Sequence, residues 1–155
     1  MRKRHYLGAA AAVAALAAPT ASAAGDPVAA VNADLAKLRA DVATARAAIV
    51  PTAQKLAADA AGAKGSTRAQ ALAVVKPDLT QLRSEVMAAR AQLKADRVQL
   101  KTDLAAAKGV KGARKQLRPA VKSTRAAVKA DRTAIRNAMQ QARQSLKELR
   151  ASFHK

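Results

Sequence analysis

Eight basic side chains near the C-terminal end of the chain carry the clearest chemical signal. Lys111, Lys115, Arg118, Lys122, Arg125, Lys129, Arg132 and Arg136 recur every three or four residues. At 100° per residue they occupy roughly 60–160° of a helical wheel, one continuous cationic stripe beside an apolar face. Ammonium and guanidinium groups offer donors and fixed positive charge, so the chemistry they fit is electrostatic capture of an extended anion. Like charges at i,i+4 also weaken a helix by a few tenths of a kcal/mol per pair, and a counter-polyanion relieves that cost.

The rest of the chain cannot neutralise this stripe. The formal net charge is +19, but it is unevenly shared. Residues 24–65 carry five basic and four acidic side chains, residues 66–109 eight and four, and residues 110–155 thirteen and two. The first two segments hold eight acids against thirteen cations of their own. The reading that competes with anion capture is a solvated face on a structural or protein-interaction bundle.

Among anionic polymers, nucleic acid would be held through its phosphates, with the salt dependence of counterion release. No aromatic residue interleaves the basic stripe, so base stacking is unavailable. Cell-wall polymers, acidic polysaccharide, anionic lipid headgroups and extracellular DNA are the accessible partners of an exported protein.

Export is the expectation from residues 1–23. Arg2, Lys3 and Arg4 precede an apolar run from Leu7 to Ala18, Pro19 breaks it, and Ala21-Ser22-Ala23 offers small residues for signal-peptide cleavage. The run is shorter than the roughly 20 residues a bilayer needs. The chain has no cysteine, which excludes a lipid-anchored lipoprotein and any disulfide framework. The expected mature chain is one alanine-rich domain, residues 24–155, placed in the envelope or outside the cell.

Catalysis is not expected. After the signal segment the only histidine is His154 and the only aromatic residue is Phe153. No metal-ligand set, serine–base pair or glycine-rich phosphate loop is present, so neither cofactor, metal nor small-molecule substrate is expected. Asp96 and Asp131, each in the repeated "KADR", project to the border of the apolar stripe and are expected to form interhelical ion pairs.

A repeat positions these groups. "LRADVATARAAI" at 38–49 returns as "LRSEVMAARAQL" at 82–93 and "LRPAVKSTRAAV" at 117–128. Each copy has an echo 18 residues on, beginning at Leu56, Leu100 and Ile135. Eighteen residues are about five turns, which keeps one face without supercoiling. The shared Leu, Val and Ile positions form a stripe in which Ala45, Ala89 and Thr124 leave room for close helix approach.

The spacing predicts three helices, at 27–61, 66–108 and 113–151. Asp26 caps the first ahead of Pro27, Ser66 or Thr67 caps the second, and the pairs Gly62/Gly65 and Gly109/Gly112 separate them. Pro51 and Pro77 are read as kinks in continuing helices, and Pro119 lies near the third helix's start. Short connections make sequential helices antiparallel. The fold class is all-α: an elongated three-helix bundle or coiled-coil-like hairpin. The thin apolar stripe leaves self-association or a helical protein partner open.

Overall fold

The computed structural model describes residues 25–153, and the signal-peptide reading of residues 1–23, like His154, falls outside the described residues. Three helices account for nearly all of it: α1 (Pro27–Gly62), α2 (Arg68–Ala107) and α3 (Ala113–Ser152). At 1.5 Å per residue they are about 54–60 Å long, so the bundle is a rod.

The helix ends follow local chemistry. The Asp26 carboxylate accepts a hydrogen bond from the Val28 amide at 2.9 Å, with Pro27 in the first turn where no amide is needed. Thr67 and Gln70 form a reciprocal capping box at the start of α2. Gly65 and Gly112 adopt φ of 92° and 82° in the two connections, a region that L side chains rarely enter. α1 and α2 run unbroken through Pro51 and Pro77, and α3 through Pro119.

Consecutive helices are antiparallel, so α1 and α3 run parallel. One end of the rod joins Val28, Val31 and Leu35 to Ala107, Ala113 and Leu117. The rest of the core joins Ile49, Leu56 and Ala60 to Val75, Leu82, Ala138 and Leu149. The buried positions step by seven, or by four and three that add to seven, as in Leu117, Thr124, Val128, Asp131, Ala138, Ala142 and Leu149. That is a seven-residue pattern of coiled-coil type, not a five-turn straight repeat, and it is the one point where the expected face geometry changes.

α1 is the central element. Its backbone approaches both α2 and α3 closely along their lengths, whereas α2 and α3 hardly approach each other. Alanine makes the close approach possible: Ala45, Ala53, Ala57 and Ala60 are buried on α1. Ala120 and Ser123 of α3 line a shallow groove with Ala36, Ala40 and Ala43 of α1. Leu56, Val31 and Val42 are the largest side chains wholly removed from water.

Candidate functional site

The three seams of the rod differ in charge. With heptad letters that place Leu38, Leu82 and Leu117 at d and Val42, Val86 and Val121 at a, each helix flanks its core with a g row and an e row. α1 and α2 meet through their g rows, the e row of α1 meets the g row of α3, and the e rows of α2 and α3 lie outside both seams. Ion pairs across the first two seams fix this register.

The α1/α2 seam gathers the acids. Lys55 Nζ lies 2.7 Å from Asp59 on its own helix and 2.8 Å from Asp78 on α2. Eighteen residues earlier Lys37 makes the same clamp, to Asp41 at 2.6 Å and to Asp96. Both lysines are held protonated above the usual range, by hydrogen bonds to the aspartate on α1 first and to the one on α2 second. Between the clamps Thr52 donates to Glu85 at 3.0 Å, with Gln81 at 2.9 Å from the same carboxylate oxygen. Beyond Lys37, Asp34 faces Asp103, whose other neighbour is the Gln99 amide at 3.0 Å. Burial and the second carboxyl push Asp34 up to about 6.

The acids of α3 also point inward. Asp131 receives Arg46 of α1 at 3.0 Å, and Glu148 receives Lys64 at 2.6 Å. Asp96 and Asp131 therefore form the interhelical pairs expected of them, with Lys37 and Arg46 as partners.

Nothing acidic is left for the cationic stripe. Of the ten acids, Asp26 caps α1, seven line the α1/α2 seam and two bind α1 or the following turn from α3. Among the described residues every ion-paired cation belongs to α1 or that turn. Lys111, Lys115, Arg118, Lys122, Arg125, Lys129, Arg132 and Arg136 are all exposed. From Lys115 to Arg136 they fill consecutive e and b positions of α3 and make one face, and Lys111 lies in the turn before it.

Sequence reasoning missed that α2 carries an exposed basic row of its own. Arg83, Arg90 and Arg97 occupy the e row of α2, with Lys94 and Lys101 beside them at b, and all five are exposed. A shallow depression on this side is lined by Arg90, Leu93, Lys94, Arg97, Val98 and Lys101. The signal was available: Arg83 and Arg90 are the repeat counterparts of Arg118 and Arg125. Knowing which seam would carry the acids was what the repeat alone did not disclose.

No group of histidine, cysteine or carboxylate side chains among the described residues could hold a metal ion. No helix among them is long and apolar enough to cross a membrane. No protein family, characterised protein or solved structure matches the chain.

Proposed function

We propose that the protein is an exported, non-enzymatic helical bundle that binds an anionic polymer electrostatically through its third helix. The observation that carries this reading is the segregation of charge. The acids are spent inside the α1/α2 and α1/α3 seams, and the e and b rows of α3 keep their full positive charge in water. A row of unneutralised cations about 32 Å long, from Lys115 to Arg136, is suited to a repeating anion and not to a compact one.

The test is binding of the mature chain to heparin, DNA and phosphate-rich wall polymers at low and at high salt. Replacing Arg118, Lys122, Arg125 and Lys129 by glutamine should weaken binding by at least tenfold and flatten its salt dependence by about three in log–log slope. The same number of changes among Arg39, Arg46, Lys55 and Lys64 of the α1 region should do less. Absence of binding to all three polymers at low salt would sink the reading.

A second reading has its own observation. Leu72, Val74, Met87 and Val98 leave α2 with apolar side chains in water, Met87 at 70% and Val98 at 60% exposure. A helical partner or a second copy could cover them. Sedimentation as a strict monomer at high concentration would count against self-association.

A further inference from the structure

The α1/α3 seam repeats its own chemistry with one member exchanged. Two ion pairs set its register, Arg46 to Asp131 at 3.0 Å and Lys64 to Glu148 at 2.6 Å, offsetting these parallel helices by 85 and 84 residues. One heptad before Arg46 stands Arg39, and one heptad before Asp131 stands Thr124. Arg39 thus holds the place of a paired arginine, but a hydroxyl stands where its repeat has a carboxylate. Its neighbours three and four residues away are Leu35, Ala36, Val42 and Ala43, so its own helix offers no acid either. Among the described residues Arg39 forms no ion pair.

Arg39 and Thr124 line one open groove of about 470 Å³ between the two helices. Ala36, Ala40, Ala43 and Ala120 leave the space, Leu35 adds to its apolar surface, and Asn32 and Ser123 complete the polar lining. Thr124 carries the second observation. It is only 8% exposed, and its hydroxyl makes no hydrogen bond among the described residues. The hydroxyls of Thr52, Thr80, Thr102 and Thr133 each donate to the carbonyl four residues back, so Thr124 departs from the habit of this chain. A buried hydroxyl without a partner is costly, and an acceptor entering the groove removes that cost.

We infer that this groove binds a free aliphatic monocarboxylate, whose carboxylate takes the role that Asp131 plays one heptad further on. The inference goes beyond polyanion binding and uses another face. The groove lies on the g and c side of α3, whereas the basic stripe occupies its e and b side. The Arg39 guanidinium offers a fork of donors that matches both carboxylate oxygens. The hydroxyls of Thr124 and Ser123 and the amide of Asn32 supply further donors. One cation balances one negative charge, so a phosphate monoester, which carries about −1.5 to −2, would be left partly uncompensated. The alanine and leucine walls suit an apolar tail and not a second polar group. Along α1 the lining from Asn32 to Ala43 spans about 16 Å, room for a chain of several carbons.

The experiment follows the amide NMR signals of the isotope-labelled mature chain during titration with hexanoate, hexyl phosphate and hexylamine. About 0.15 M sodium chloride screens the exposed stripe throughout. Hexanoate should shift the signals of residues 32–43 and 120–124 saturably, hexyl phosphate should bind several-fold more weakly, and hexylamine should leave them in place. Arg39→Gln, a change at an exposed side chain, should weaken hexanoate binding by about tenfold or more. Thr124→Asp supplies the acid within the chain, so it should abolish hexanoate binding while the melting temperature stays level or rises. The control Arg68→Gln/Lys147→Gln should bind hexanoate as the unaltered protein does. Hexanoate shifts that spread along α3 beyond the groove, or that survive both Arg39→Gln and Thr124→Asp, overturn the site, as does a lack of any shift. Tighter binding of hexyl phosphate or hexylamine than of hexanoate overturns the ligand class. Should Thr124→Asp fail to fold, Arg39→Gln decides the matter alone.

Discussion

Asp34 of α1 and Asp103 of α2 meet across a seam that elsewhere sets a lysine between its carboxylates. At the other end of the same seam Lys55 stands between Asp59 and Asp78. The repeat puts Gln99 where Lys55 has its counterpart, and Gln99 donates to Asp103 alone. Asp34 Oδ2 is buried with no donor, so a proton on the Asp34/Asp103 pair supplies the missing hydrogen bond. Asp96 adds to the negative potential at Asp34, and Lys37 opposes it.

This pair gives the stability of the protein a pH dependence of definite sign. Burial, then the Asp103 carboxyl, raise Asp34 to about 6 from an ordinary 3.8. The folded state then binds the proton more tightly than the unfolded one. The associated stability is complete below about pH 4 and is lost as pH rises through about 6. Asp34→Asn should therefore stabilise the protein at pH 7 by on the order of 1 kcal/mol, after allowance for solvent screening, and do little at pH 4. Urea unfolding at both pH values measures it, and an equal gain at each would refute the shared proton.

The lysine clamps should show the opposite dependence on a partner. Asp78 is 5% exposed and Asp96 6%, and each relies on one lysine for compensation. Lys55→Gln leaves the Asp78 charge in place without its cation. The bundle should lose stability, by less than a fully buried pair would cost, because Lys55 is itself well exposed. Asp78→Asn in the Lys55→Gln background should recover part of it. A double-mutant cycle with no coupling between the two positions would show the clamp to be ornamental.

Much of this was legible in the chain. Proline at position 27 after Asp26, Thr67 three residues before Gln70, and glycines at 65 and 112 locate the helix ends to within two residues. The 18-residue echo also had meaning: it spaces Lys37/Asp41 from Lys55/Asp59 on α1, and Asp78 from Asp96 on α2. Its meaning is electrostatic more than geometric, since the core itself keeps a seven-residue step. What a single helical wheel does not contain is the neighbour. Whether Arg83 or Arg118 faces an acid depends on which rows the turns bring together, and that is decided by the g rows of α1 and α2. Once Asp34, Asp41, Asp78, Glu85 and Asp103 are drawn into one seam, the arginines of α2 are left without an acid.

The two interior prolines are a reservoir of stability. Pro51 and Pro77 each remove one helical hydrogen bond and crowd the preceding turn, yet both helices continue across them and both residues are exposed. Pro51→Ala and Pro77→Ala should each stabilise the bundle by about 1–3 kcal/mol, because alanine restores the amide donor without altering the core. Thermal melts would register this as a higher midpoint with unchanged helical content. Destabilisation by either change would mean that the bend made by the proline is needed for packing against α1.

The unpaired cations of α2 and α3 predict how the unliganded protein responds to salt. Ordinary surface ion pairs weaken as salt rises, but here the clamped pairs are partly buried and the unpaired charges are all of one sign. Screening should therefore stabilise the rod, with the melting temperature rising as sodium chloride goes from about 0.01 to 0.5 M. Arg90→Gln and Arg125→Gln should each raise stability by a few tenths of a kcal/mol at low salt, because each removes an unpaired cation from a strongly basic surface. At 0.5 M the Debye length falls below about 5 Å and the difference should vanish. A melting temperature that falls over the same salt range would mean that attractive pairs, and not the unpaired cations, dominate the electrostatics of the rod.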